Sequence, residues 1–228
     1  MFLFLRLLLA HFIGDTILQP DEVYRIKKSG FSGTVIHVCI IFATLFLFSF
    51  PFIKHPGMWF VLVFAGLTHL IQDEMKIRKF LNQKLNFVIF VLDQCLHVAC
   101  LLPVFLFKFA DEAPLLEGMI AQIYANDSLI IFSTGMIVSV FLGAYLWEAF
   151  KISYFKNPVL FKSYRIKYGM FERLIFSVSV LFSAWIFLPV PFVFRVINKR
   201  LGYSGSLIFN IIYASLIGLF LRQILPIF

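Results

Sequence analysis

The sequence predicts an all-α fold: a polytopic bundle of about seven transmembrane helices, with the N-terminus outside and the C-terminus inside. Three observations carry that expectation. Of 228 residues, 61% are hydrophobic, only 14% are charged and 31 are Phe. With a mean hydropathy of +0.93, this composition excludes a disordered chain or an ordinary water-soluble domain. Apolar runs of about 20 residues recur along the chain, each long enough to cross roughly 30 Å of hydrocarbon at about 1.5 Å per helical residue. In lipid no water is available to backbone N–H and C=O groups, so such runs are helices.

Taken in order, the spans are Met1 to Gln19, Phe31 to Phe52, Gly57 to Asp73, Asn86 to Phe109, Ser128 to Phe150, Arg173 to Phe194 and Gly205 to Leu225. The first resembles a secretory leader only superficially. No basic residue precedes Arg6 and no small-residue cleavage site follows, so the segment is expected to be retained. In the sixth span, Pro189 and Pro191 predict a break or kink at the outer end. The organisation expected is a four-helix module over 1–110 and three further helices over 128–228 packing around it.

Lys and Arg set the orientation. Arg25, Lys27, Lys28, Lys76, Arg78, Lys79, Lys84, Lys151, Lys156, Lys162, Arg165, Lys167 and Arg173 fall in the first, third and fifth connections, which the positive-inside rule makes cytoplasmic. The acidic stretch from Asp111 to Asp127 is then external, and the basic sixth connection, with Arg195, Lys199 and Arg200, is the one dissenting element. The formal charge of +8 does not indicate nucleic acid, because the cations lie between apolar runs where topology and anionic headgroups account for them. Membrane lipids are the expected partners, with no nucleic acid. Cys39, Cys95 and Cys100 lie inside apolar runs and read as small buried residues.

Seven His and Asp residues lie within the first four spans: His11, Asp15, His37, His69, Asp73, Asp93 and His97. Each costs several kcal/mol in hydrocarbon, by common estimates, unless it is paired or faces a cavity. His11 and Asp15, His69 and Asp73, and Asp93 and His97 are spaced i,i+4, so each pair is expected on one helix face, aimed at a common point. All seven sit within about 15 Å of the predicted cytoplasmic ends. A weak repeat relates His11-Phe12-Ile13-Gly14-Asp15 to His69-Leu70-Ile71-Gln72-Asp73, each followed by a helical histidine; Asp93 breaks it, because Gly33 stands at its counterpart.

Imidazoles and carboxylates are ligands for a divalent metal, zinc first and manganese or iron as alternatives, and the scarcity of usable thiolates argues against a Cys-type site. The seven exceed one tetrahedral shell, leaving orienting carboxylates or room for a second ion. No HExxH motif is present. At the same predicted edge lie Gln19, Gln72, Lys76, Arg78, Glu148, Glu172 and Arg173, whose cations either bind an anionic group or set topology.

The motifs His11-x3-Asp15-x3-Gln19, His37, His69-x3-Asp73-x2-Lys76, Asp93-Gln94-x2-His97 and Gly169-x2-Glu172-Arg173 resemble those of an uncharacterised bacterial integral-membrane family, a domain of unknown function. The likeness covers the first hundred residues well and later only the Gly-x2-Glu-Arg element. It implies a bacterial inner-membrane protein and no established activity. Membrane-bound metal-dependent hydrolases and the seven-helix zinc hydrolases similar to alkaline ceramidases are looser analogies; this chain lacks the latter's late His-x3-His pair.

The first function expected is a metal-dependent hydrolase acting on a lipid or lipid-linked ester, amide or phosphoester at the cytoplasmic leaflet. Asp93 is then the general base, and Lys76 or Arg173 binds an anionic headgroup. The alternatives are an ion- or proton-coupled transporter using the cluster, and a metal-clipped assembly protein.

Overall fold

The computed structural model describes residues 1–80, 87–109, 116–155, 163–197 and 205–225. Among these all regular structure is helical. The Asn86 boundary, Lys84, Lys156, Lys162, Lys199, Arg200 and the Asp111 end of the acidic stretch lie outside the described residues, as do the side chains of Arg78, Lys79 and Arg165. The chain divides into two compact units, Met1–Ile130 and Ile131–Phe228.

In the first unit, α1 (Phe2–Phe12) runs into a π-helical turn, Ile13–Ile17. What the sequence reads as a cytoplasmic connection then contains a helix, α2 (Asp21–Ser29). Pro20 starts it, as a residue with no N–H to leave unpaired and a fixed φ, and Lys27 and Lys28 in its last turn complement the dipole. α3 (Phe31–Ser49) ends in a 3-10 turn at Phe50–Phe52, and α4 spans Pro56–Phe80, where the Gly57 N–H donates to His55 Nδ1 at 3.1 Å. α5 (Phe87–Ala99) does not continue unbroken to Phe109 as expected. Pro103 cannot donate to the ladder, and the chain tightens into a 3-10 segment at Leu102–Leu106. α6 (Gly118–Ala125) and the start of α7 (Asp127–Ile137) complete the unit.

Leu7 and Ala10 of α1, Ile41 and Leu45 of α3, and Met58, Leu62 and Ala65 of α4 form the core of this unit. Two glycines set how closely its helices approach. A Cβ on Gly14 would lie 2.7 Å from Thr44 Oγ1 and 2.9 Å from Ile41 Cδ1, so only glycine lets the π turn rest on α3. A Cβ on Gly33 would overlap the Ile26 carbonyl, which is how α2 lies directly on α3. At the far end of α1, Arg6 is fully buried. It donates to the Tyr124 carbonyl from Nε (3.0 Å) and from a terminal nitrogen (2.6 Å), donates to the Phe2 carbonyl (2.9 Å), and pairs with Asp127.

The second unit continues from α7 through a π turn at Val138–Leu142 to α8 (Gly143–Phe155), then α9 (Ser163–Leu181), α10 (Val190–Ile197) and α11 (Gly205–Ile224). The expected sixth span is therefore broken earlier than its prolines. α9 stops at Ser183, which takes φ 54, and the Ala184 N–H returns to the Ser179 carbonyl at 2.8 Å, a helix-ending loop that satisfies an orphan acceptor. Pro191 falls in the first turn of α10, where its missing N–H costs nothing.

Among the described residues, four helices are long and apolar enough to cross a membrane: Phe31–Phe52, Phe87–Leu106, Asp127–Tyr154 and Ser206–Ile224, with Phe2–Ile17 and Glu22–Ser29 a fifth if that bent pair is one span. α4 is long enough at 25 residues but carries His69, Gln72, Asp73, Glu74 and Lys76 in its second half. Cys39 and Cys95 are exposed on their helices and Cys100 is half-buried, so the expectation of three buried cysteines is corrected for two; all three are free.

Candidate metal centre

His69 and Asp73 are one turn apart on α4, and Asp93 and His97 on α5. Their Nε2 atoms approach the paired carboxylates to 3.3 and 3.6 Å, as i,i+4 spacing predicts. The third pair departs from expectation. Asp15 lies inside the π turn, where i→i+5 bonding takes more residues per turn and leaves its side chain behind the α-helical position. It turns to α3 instead, with Oδ1 3.2 Å from His37 Nε2, and makes no ion pair with His11 among the described residues. The His11 ring still faces the others, 5.5 Å from that of His69 and 5.7 Å from that of His97. All four histidines are at most 2% exposed, so their nitrogens depend on partners from within the protein.

At the centre, His37 Nε2 lies 3.4 Å from His69 Nε2 and 3.5 Å from Asp73 Oδ2, while His69 Nε2 lies 3.3 Å from the same oxygen. Ligand atoms about 2.0–2.1 Å from a tetrahedral ion are roughly 3.3–3.4 Å from one another, so the 3.4 Å between the two nitrogens, like the 3.2 Å from Asp15 Oδ1 to His37 Nε2, matches the edge of one coordination shell. Among the described residues, groups of three with every ligand atom within 4.8 Å of the others include Asp15, His37 and His69, and His69, Asp73 and His97. His69 belongs to both. His11 Nε2 and His97 Nδ1 are buried with no hydrogen-bond partner, an expensive condition in an apolar surrounding.

The edge of the cluster is polar. Gln19 Nε2 lies 3.5 Å from His37 Nδ1; a half-turn of the amide puts its oxygen there instead, where it would accept the Nδ1 proton and leave Nε2 free as a ligand. Lys76 pairs with Asp93, Gln94 donates to that carboxylate at 3.4 Å, and Gln72 donates to Cys100 Sγ at 2.9 Å. Lys76 is the more open of the ion pair, its side chain 32% exposed against 10% for Asp93. Arg173 belongs to the second unit. It is buried, donating to the Val140 carbonyl at 2.9 and 3.2 Å and to Asn210 Oδ1 at 2.7 Å. Glu172 is bound to Arg195 and Asn210, and Glu148 to Lys151.

Sequence reasoning misses Lys27, counted only as a topological cation. It is buried, and its Nζ lies 2.6 Å from Asp73 Oδ2. The readable signal is the run from Asp21-Glu22 to Lys27-Lys28 after Pro20, a short helix with acid first and base last.

All-helical architecture, apolar helices of membrane-spanning length and a buried cluster of His and Asp define a membrane protein with a candidate metal centre. Residues 3–122 match the family described as "Protein of unknown function (DUF3307)", and the chain belongs to that family. The matched stretch lies in the first unit and contains all seven cluster residues with Lys27 and Lys76. No curated protein and no solved structure matches the chain.

Proposed function

We propose that the cluster is the divalent-metal centre of a membrane-embedded hydrolase whose substrate is a lipid or lipid-linked ester, amide or phosphoester. The observation that carries this reading is that the ligands fall in threes. Structural zinc sites are closed by four protein ligands, whereas catalytic sites have three and a fourth position for water. An ion there, zinc first and manganese or iron as alternatives, lowers the pKa of the bound water toward neutrality. Asp93, beside the shell and not a member of either three, takes the proton as general base. Lys76, paired with Asp93 and half open, binds the anionic part of the substrate, and its withdrawal toward that anion frees the carboxylate. Arg173 has no part in this scheme, because Asn210 and the Val140 carbonyl hold its guanidinium.

The scheme includes seven spans, with α4 and the broken α9–α10 segment as the two beyond the apolar helices, an external N-terminus and an internal C-terminus. The distribution of Lys and Arg supports that orientation, and the family resemblance supports a bacterial inner membrane. The test is hydrolysis of fluorogenic phospholipid and lipid-ester substrates by detergent-purified protein. Activity is expected to be lost on chelation, restored by Zn²⁺ and absent from His37→Ala. Bound metal with no turnover would move the centre to an assembly role; Zn²⁺ or proton flux in proteoliposomes, abolished by Asp73→Asn, would make it a transporter.

A further inference from the structure

Seven ligand-type residues raise the question of one ion or two. We infer that the centre holds a single divalent ion at Asp15, His37 and His69, and that the ammonium of Lys27 takes the place of a second. The inference deepens the metal-centre reading above and rests on it.

Three observations lead there. Lys27 Nζ is 2.6 Å from Asp73 Oδ2, the oxygen nearest to His69. An ion bound through Asp73 Oδ2 has to displace a buried ammonium from that oxygen, whereas Asp15 Oδ1 faces His37 Nε2 at 3.2 Å and offers its lone pairs directly. Ring geometry separates the two groups as well. His69 and His97 stack with centroids 4.1 Å apart and planes 29° apart, so their lone pairs lie in nearly parallel planes; His37 and His69 are inclined by 51° at 5.4 Å, with Nε2 atoms 3.4 Å apart.

Charge gives the third argument. Asp15, Asp73 and Asp93 carry three negative charges against two positive charges from Lys27 and Lys76, and the imidazoles that ligate an ion are neutral. One divalent ion takes the buried cluster from −1 to +1. A second takes it to +3, or +2 with a bridging hydroxide, in a site where uncompensated charge is costly. α2 is what makes Lys27 available: Gly33 lets the helix lie on α3 with Lys27 turned inward, while Tyr24, Arg25, Ile26 and Lys28 face outward. This also gives a physical reason for Gly33 at the position where the second half of the weak repeat has Asp93.

The test is metal stoichiometry by elemental analysis of full-length protein loaded with Zn²⁺ and desalted in detergent, with Co²⁺ absorption as a check on ligand number. Wild type and Lys27→Arg are expected to hold one equivalent, and Lys27→Met, similar in volume but uncharged, two, the second held by Asp73 and His97 with the unpartnered His11, because the one lone pair of His69 serves a single ion. Asp15→Asn is expected to fall to none, while Asp73→Asn holds one. Two equivalents in wild type, or one that persists in Asp15→Asn and is lost in Asp73→Asn, would overturn the inference and leave the metal-centre reading standing. No metal in any variant would overturn both. Should Lys27→Met not elute as a monodisperse species, Gly33→Ala, which displaces α2 without touching a ligand, is expected to give the same second equivalent.

Discussion

Each unit buries a polar network among apolar helices, and the two are finished differently. In the second unit, Glu172 accepts from Arg195 at both oxygens (2.5 and 2.8 Å), Asn210 donates to Glu172 at 2.7 Å, and Arg173 donates to Asn210 at 2.7 Å. Each donor there meets an acceptor belonging to α9, α11 or the π turn. In the first unit, His11 Nε2 and His97 Nδ1 have no hydrogen-bond partner, and four acceptor-type atoms crowd within 3.2–3.5 Å of a neighbour. A closed network of hydrogen bonds holds helices together. One that gathers lone pairs without enough protons is arranged for something that brings positive charge.

The largest effect expected from this contrast lies in the closed network. Glu172→Leu leaves Arg195 and Asn210 buried without their acceptor, and loss of one partner of a buried ion pair costs roughly 3–5 kcal/mol. Thermal unfolding in detergent is expected to show a large fall in Tm with metal content unchanged. The double variant Glu172→Leu with Arg195→Leu removes both charges and is expected to recover much of the loss. If the single variant were as stable as wild type, the network would not be what holds α9 to α10 and α11.

Within the first unit the corresponding structural test is Gly14→Val. Its side chain meets Thr44 and Ile41, and overpacking of this kind costs about 1–3 kcal/mol. Because Gly14 precedes Asp15, the shift also moves Asp15 away from His37, so Zn²⁺ affinity is expected to fall together with Tm. Unchanged affinity would mean that the π turn is not what positions Asp15.

These two sites also show what can be read from the sequence. The polar residues of the centre are legible, because intramembrane His and Asp at i,i+4 spacing have few bland explanations, and the pairs on α4 and α5 approach each other as that spacing requires. Asp15 reaches the cluster by another route, since a π turn leaves no mark in hydrophobic periodicity. Lys27 is hidden for a different reason: in a positive-inside count it is one cation among many, and its burial follows from Gly33, whose role depends on how closely α2 lies on α3. Arg195 likewise reads as part of a basic connection, and only the tertiary fold brings it to Glu172. Local pattern gives elements and faces; the partner of a charged group is a long-range fact.

A smaller effect is expected where the two kinds of network meet in one residue. Gln19 hydrogen-bonds His37 without being a ligand, and removing such an orienting partner typically weakens metal binding 10- to 100-fold. Gln19→Leu is expected to show this loss in a Zn²⁺ competition titration with a chromophoric chelator, while Gln19→Glu, which retains an acceptor for the Nδ1 proton, is expected to bind as wild type does. Equal loss in both would assign Gln19 to packing.

The smallest change in stability is expected at the open edge. Lys76 is 32% exposed and its ion pair with Asp93 is partly solvated, a class of interaction worth about 0–1 kcal/mol. Lys76→Met is therefore expected to leave Tm and metal content close to wild type. Hydrolysis separates the roles, because a cation that binds the anionic part of a lipid is lost with the variant: phospholipid turnover is expected to fall through a raised KM, whereas turnover of an uncharged lipid ester is not reduced. The closed network of the second unit has no residue whose loss affects one substrate and not another, and a large fall in Tm for Lys76→Met would place Lys76 with that network, as a structural ion pair of the first unit.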